Sequence, residues 1–158
     1  MLIQAREGLT ALLGEIDHAS EVWPFQFTDY YAAEMGPNLL RQFVTFAAPG
    51  DPGELARIKL ATNEIENGFA VTAGAALRRL VNLDPGYLTP AKLVLATTKD
   101  FAHRIYVGDG IYAEITLNFS REGVQPHPWT YPDYRSGLYA PFLLAVRRSL
   151  IEAGAGRL

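Results

Sequence analysis

Cysteine is absent from this chain of 158 residues. That absence removes disulfides, thiolate zinc sites, iron–sulfur ligation and cysteine nucleophiles together, and it fits a reducing compartment. Long apolar runs are missing too. None approaches the roughly 20 residues of a membrane-spanning helix, and the N-terminus shows no basic region leading into an apolar segment. A cytoplasmic protein without a membrane partner is therefore expected. Basic clusters are equally scarce: the formal charge is −3, and only Arg78-Arg79 and Arg147-Arg148 stand paired. Nucleic acid is not an expected partner, because phosphate contacts need grouped cations. The chain also lacks a G-x-x-x-x-G-K-[ST] loop, a G-x-G-x-x-G after a strand, a G-x-S-x-G elbow, a His-x-x-x-His pair and an EF-hand loop. Each of those motifs places a phosphate, a nucleophile or a metal by fixed geometry, so the usual nucleotide, esterase and metal chemistries have no foothold here. No metal site and no cofactor is implied.

What is present reads as a globular α+β chain. Nearly half of the residues are apolar (49%) and a fifth are charged. At this length they are expected to build a single domain over residues 1–158 with a real core. Leu9, Leu12, Leu13 and Ile16 follow a helical spacing that stops near Gly14. Val22, Phe25 and Phe27 suggest an extended segment that Pro24 confines to an edge. Arg41 to Phe46 alternates as a strand. Asp51-Pro52-Gly53-Glu54 is a capping-box pattern opening a helix that carries Leu55, Ile58, Thr62 and Ile65. Lys59, Asn63 and Glu66 line its neighbouring polar stripe, which commonly means a solvated face. Gly68 to Ala76 is either a loop or more helix. Leu80 to Leu83 reads as a strand stopped by the turn Asp84-Pro85-Gly86, and Thr89-Pro90 as the start of a short helix.

Ala102 to Val107 and Ile111 to Phe119 form the clearest hairpin, joined at Gly108-Asp109-Gly110. A three-residue loop with Gly110 left-handed sets Val107 opposite Ile111, Tyr106 opposite Tyr112 and Arg104 opposite Glu114. The last of these is a cross-strand ion pair. Gln125 to Arg135, rich in proline and aromatics, is expected to be a surface loop. A final helix spans about Leu138 to Ala153, with Phe142, Val146 and Leu150 on its apolar face.

Four stretches carry a family resemblance: FQFTDYYAAEMG (Phe25 to Gly36), IKLATNEIE (Ile58 to Glu66), VNLDPGYLTPAKLVLATTKDFAHRIYVGDGIYAEITL (Val81 to Leu117) and PWTYPDYR (Pro128 to Arg135). With them the chain resembles the bacterial domain of unknown function 4416 family from about Ile16 to the last helix. The resemblance implies a small domain of mixed strand and helix, and no activity, substrate or cofactor. It also implies a strand ahead of the first helix, where this chain already starts within that helix. With such a strand the element order resembles a ferredoxin-like core. Without it a sheet edge is left for a partner to cover, and a homo-oligomer through that exposed edge is one expectation.

The candidate functional residues concentrate between Asn82 and Leu117. Asp84 is either a turn residue accepting local hydrogen bonds or a carboxylate delivered to a crevice at a strand end. His103 is either a half-buried structural histidine or a general base or phosphate contact. Arg104 and Glu114 are either a structural pair or, with Lys92 or Lys99, part of an anion site. Glu66 and Asp84 are a conceivable carboxylate pair for a divalent cation, although oxygen-ligand sites leave no readable spacing. Thr28 to Tyr31 and Tyr131 to Arg135, the latter including Asp133 and Arg135, are aromatic–acidic loops. Buried tyrosines needing partners explain them, and so does a ligand pocket gathered near His103.

Two functions from different classes follow. The first is a module binding a small anionic ligand, a nucleotide or another phosphate bearer, through Asp84, Lys92, His103, Arg104, Glu114, Asp133 and Arg135. The second is a hydrolase or transferase acting on a phosphate or carboxylate substrate with an Asp/His/Glu site. The first is preferred because the sequence offers neither a nucleophile nor a metal set.

Overall fold

Asp51 opens the longest helix as its residue type demands: its carboxylate accepts the Gly53 backbone N–H at 2.8 Å, and Pro52 follows where no N–H is needed. Glu54 does not close the box back onto the cap but pairs with Arg57 one turn on. The structure is a computed structural model, and it describes residues 1–27, 35–36, 38–73 and 76–154. Its elements are α1 (Leu2–Leu13), β1 (Ile16–Ala19), β2 (Trp23–Pro24), β3 (Leu40–Arg41), β4 (Val44–Phe46), a 3₁₀ turn (Pro52–Glu54), α2 (Leu55–Gly68), β5 (Val71–Ala73), β6 (Ala76–Arg78), β7 (Gly86–Leu88), β8 (Lys92–Thr97), β9 (Ile105–Gly108), β10 (Ile111–Ser120), β11 (Gly123–Pro126), α3 (Pro132–Arg135) and α4 (Ala140–Glu152). Contacts divide them into two units, one of residues 1–49 and 60–83, the other of 50–59 and 84–158. No helix among the described residues is long and apolar enough to cross a membrane.

In the first unit three two-stranded antiparallel ribbons, β1–β4, β2–β3 and β5–β6, accompany α1 and the later turns of α2. Arg41 to Phe46 is not one strand. Arg41 pairs with Trp23, whereas Val44 to Phe46 pair with β1, which the sequence pattern did not announce. The break is held by Ser20, whose hydroxyl accepts the Phe43 N–H at 3.0 Å and whose backbone carbonyl accepts from Gln42. Leu80 to Leu83 is likewise no strand: the Glu66 carboxylate accepts the Leu83 N–H at 2.6 Å and takes Arg79 on its other oxygen. Glu66 is thus buried and partnered rather than solvated. Lys59, on the same stripe, is buried as well.

The second unit holds the one larger sheet, all of whose neighbours are antiparallel, in the order β11-β10-β8-β7, with β9 added to β10. β8 takes one side of β10, while β9 (at Ile111 to Ala113) and β11 (at Leu117 to Ser120) share the other. This α+β unit is built of antiparallel hairpins in which β8 neighbours β10 and not β9, and its pairings do not show a ferredoxin-like order. Thr89-Pro90 starts no helix. It is the turn of the β7–β8 hairpin, with Thr89 N–H bound to the Lys92 carbonyl and the Thr89 hydroxyl accepting from Lys92. The apolar run Leu93 to Ala96 is buried on both faces, and such a run has no periodicity that separates strand from helix. Gly86 is not a turn glycine either. A Cβ there would stand 2.2 Å from the Val94 carbonyl oxygen, so the close approach of β7 to β8 needs the bare backbone.

Alternation fixes what each face of β10 carries. Leu55 and Ala56, at the start of α2, pack with Val94, Ala96 and Ile111 on one face, with Tyr87 and Ala113 beside them. Between Ile115 and Leu117 the register slips by one residue, so Thr116 is the extra residue of a bulge. Beyond it Leu117 and Phe119 fall on the opposite face, where Arg147 of α4 lies over the Phe119 ring and donates through Nε to the Pro90 carbonyl at 2.7 Å. Leu143 and Val146 of α4 are buried, and Tyr139 at its cap is 1% exposed.

The β9–β10 hairpin turns on two residues instead of the expected three. Asp109 (φ 52°) and Gly110 (φ 76°) are both left-handed, as in a two-residue type I′ turn, and Gly108 lies opposite Ile111. A bulge then inserts Val107, which restores Tyr106 opposite Tyr112 and Ile105 opposite Ala113, where the ladder ends. The expected pairing of Val107 with Ile111 is off by one residue, Tyr106 opposite Tyr112 stands, and Arg104 lies ahead of the strand and meets Glu114 through its side chain.

Candidate functional site

Glu114 is only 2% exposed although it is ionisable, and burial of that kind requires charged or hydrogen-bonding partners. β10 places it opposite Leu95 on the central ladder of the sheet. Its partners come from the turn before β9, which begins at Ile105 rather than at Ala102. The Arg104 N–H closes this turn onto the Phe101 carbonyl at 2.9 Å. Because the backbone turns there, strand alternation does not apply, and both His103 and Arg104 reach Glu114 Oε2, through Nε2 at 3.2 Å and Nε at 2.7 Å. Arg104 is satisfied on all sides: Nη1 donates to the Lys99 carbonyl and Nη2 to the Tyr131 hydroxyl, each at 2.9 Å. Its guanidinium also lies 4.7 Å over the Phe101 ring. The expected ion pair is therefore present, but it is buried, not a surface pair.

The loop between β11 and α3 builds the other wall. Thr130 ties it down, accepting the His127 N–H at 2.7 Å on its hydroxyl and donating that hydroxyl to the Thr116 carbonyl. Trp129 donates its indole N–H to the Ile115 carbonyl at 2.9 Å. Arg135 Nη2 clamps the loop from below through the carbonyls of His127, Pro128 and Thr130. These bonds hold the Trp129 ring between two imidazoles, His103 at 5.1 Å and His127 at 4.8 Å between centroids, with planes within 13° and 3°. Phe101 extends the stack at 6.1 Å from His103. The result is a four-ring ladder whose imidazole of His103 is anchored at one nitrogen by Glu114.

His103 keeps 22% of its side chain exposed, and its one hydrogen bond among the described residues is that to Glu114. Three buried polar atoms near this loop have no hydrogen-bond partner among the described residues: Glu114 Oε1, Thr116 Oγ1 and His127 Nε2. Each such atom costs roughly 1–3 kcal/mol if nothing meets it, which marks the neighbourhood as more than passive core.

The candidates separate as follows. His103, Arg104 and Glu114 come together, and Tyr131 joins them. Arg135 is exposed and supports the same loop, while Asp133 is buried, with Oδ2 accepting from the Tyr139 hydroxyl at 3.3 Å. Lys92 does not join them. It stands opposite Asn118, three residues before Leu95, or about 10 Å along the strand. Asp84 is exposed ahead of β7 and is not among the partners of Glu114. Glu66 holds Arg79 and the Leu83 amide within the other unit, which accounts for it without a cation. The loop Thr28 to Tyr31 lies outside the described residues. Trp129 and His127 were not singled out from sequence; the only signal was the aromatic richness of their proline-bounded segment. No group of three or more His, Asp or Glu among the described residues could hold a metal ion.

Two open grooves lie elsewhere. One, of about 370 Å³, runs between the β10–β11 turn and α4, and its charges are mixed: Arg121, Arg147 and Arg148 against Glu122 and Glu152. The other, in the first unit, follows α1 and includes Ile3, Arg6 and Thr10. Neither contains a residue of the His103–Glu114 cluster.

No curated protein matches this chain, and no solved structure does. The model of one family, described as Domain of unknown function (DUF4416), matches residues 1–150. That match spans both units and every residue of the cluster, and the chain belongs to this family.

Proposed function

We propose that the chain is a small-molecule binding module that takes an anionic ligand against His103 and the Trp129 loop. The observation carrying this reading is the anchoring of His103: a buried carboxylate fixes one ring nitrogen, flat rings fix the plane, and 22% of the side chain stays exposed. A ligand contact held this way is already ordered before binding, so less conformational entropy is lost when it binds. The charge balance favours an anion. Arg104 already compensates Glu114, so the cluster holds no uncompensated negative charge, and the exposed Arg135 adds a cation beside the same loop.

The same anchoring also suits the alternative reading, a hydrolase or transferase, since a carboxylate-held imidazole is how a general base is oriented. That reading needs water as the nucleophile and a further group on the substrate. The carboxylate expected to help, Asp84, is not bonded into the cluster. Binding is therefore the stronger conclusion.

Thermal unfolding in the presence of inorganic phosphate, nucleoside mono- and triphosphates and sugar phosphates tests it, because a ligand of the native state raises the unfolding temperature. At least one of these is expected to stabilise the protein, His103→Gln to remove the effect, and Lys92→Ala to leave it intact. No response to any anion, or an undiminished response in His103→Gln, overturns the proposal. Turnover of a bound phosphate ester by the wild type, lost in His103→Gln, moves the conclusion to the enzyme.

A further inference from the structure

β9 is bonded to β10 on one side, and among the described residues nothing pairs with its other edge. Its three large side chains are all open to solvent: Ile105 is 71% exposed, Tyr106 59% and Val107 40%. Soluble proteins ordinarily guard such an edge with lysine, proline or an inward-pointing charge, and Ile105-Tyr106-Val107-Gly108 has none of these. Only its shortness and the bulge at Val107 restrain it. Around it the exposed rings of Phe101 and Trp129 and the side chain of Ile115 extend the apolar surface.

We infer that this edge joins a second copy of the chain, two β9 strands pairing antiparallel about a two-fold axis to run the five-stranded sheets of both copies into one. Three arguments select this occupant. Paired about a two-fold axis, a strand edge is complementary to itself, so nothing else on the chain has to match it. No residue of β9 is charged, so the pairing sets no like charges opposite one another, although the whole chain carries −3. The area is also adequate. At these exposures the six side chains offer on the order of 600 Å² per copy, which doubles to the lower end of standard protein interfaces. A strand of four residues adds few hydrogen bonds, so most of the stabilisation comes from the side chains, and the dimer is weak, with a dissociation constant on the order of micromolar to tens of micromolar.

Sedimentation velocity from about 1 to 200 μM spans that range. The wild type is expected to pass from monomer to dimer, and Ile105→Lys to weaken the dimer at least about tenfold while melting like the wild type when dilute. Hydrogen exchange on the wild type supplies a readout independent of any variant: the amides of residues 105–107 gain protection at high concentration. A wild type that stays monomeric at the highest concentration overturns the inference. So does a dimer whose β9 amides gain no protection, which would assign the contact to another surface or leave β9 to a different partner.

Discussion

Arg104 and Glu114 form a buried ion pair, Nε to Oε2 at 2.7 Å, with the two side chains 6% and 1% exposed. Breaking such a pair from one side strands the other charge out of water. Glu114→Gln is expected to lower unfolding stability by about 3 kcal/mol in chemical denaturation. The double variant Arg104→Met/Glu114→Gln should be markedly less damaged than the sum of the single variants, because it removes the stranded cation. Strict additivity would mean that the pair is not coupled.

Gly86 makes a sharper claim about backbone. With the Val94 carbonyl oxygen 2.2 Å from where a Cβ would sit, Gly86→Ala must push β7 off β8, at a cost of about 3 kcal/mol or more. Gly50 is the control: nothing lies within 4 Å of its missing Cβ, and Gly50→Ala should change stability by less than about 0.5 kcal/mol. Equal effects in denaturation would contradict the packing described for the β7–β8 ladder.

Asp17 supplies the pH dependence. Burial pushes its carboxyl up, but hydrogen bonds from Thr45 and His18 and the His18 charge outweigh it, holding the group below its ordinary value of 3.8. A carboxyl depressed by folding binds fewer protons in the native state. Its stabilising contribution is therefore complete above about pH 4 and is lost as pH falls through the lower native value. Asp17→Asn should be less stable than the wild type at neutral pH, and the two should converge toward pH 2. The difference is small, since the Asp17 side chain is 35% exposed and screened by solvent. A gap that persists unchanged into acid would assign the effect to shape instead of charge.

Several elements were legible because their signals are local. Gly14 ends α1, Asp51-Pro52 opens α2, and Gly108-Asp109-Gly110 marks the β9–β10 hairpin, although its loop is one residue shorter than the pattern suggests. β8 was not legible, since Leu93 to Ala96 is apolar on both faces and Thr89-Pro90 serves a turn as well as a helix start. Glu66 and Lys59 looked solvated because a charged stripe on a helix says nothing about what folds over it. Within the site, Arg104 and Glu114 followed from register, but the stacking of Trp129 between His103 and His127 depends on a loop pinned by Thr130 and Arg135, contacts that no spacing announces.

The bulge at Thr116 gives β10 a property that a regular strand lacks. Ahead of it the odd-numbered side chains Ile111 and Ala113 serve the core under α2; after it the odd-numbered Leu117 and Phe119 serve the opposite layer. One inserted residue thus works as a crossover, letting a single strand supply two cores in succession. Deleting Thr116 would therefore not merely shorten the strand. It would let Leu117, opposite Leu93, follow directly on Ile115, opposite Val94, so that the downstream faces are kept, and it would take away the Thr116 carbonyl that holds the Thr130 hydroxyl, so that the loss is felt at the Trp129 loop.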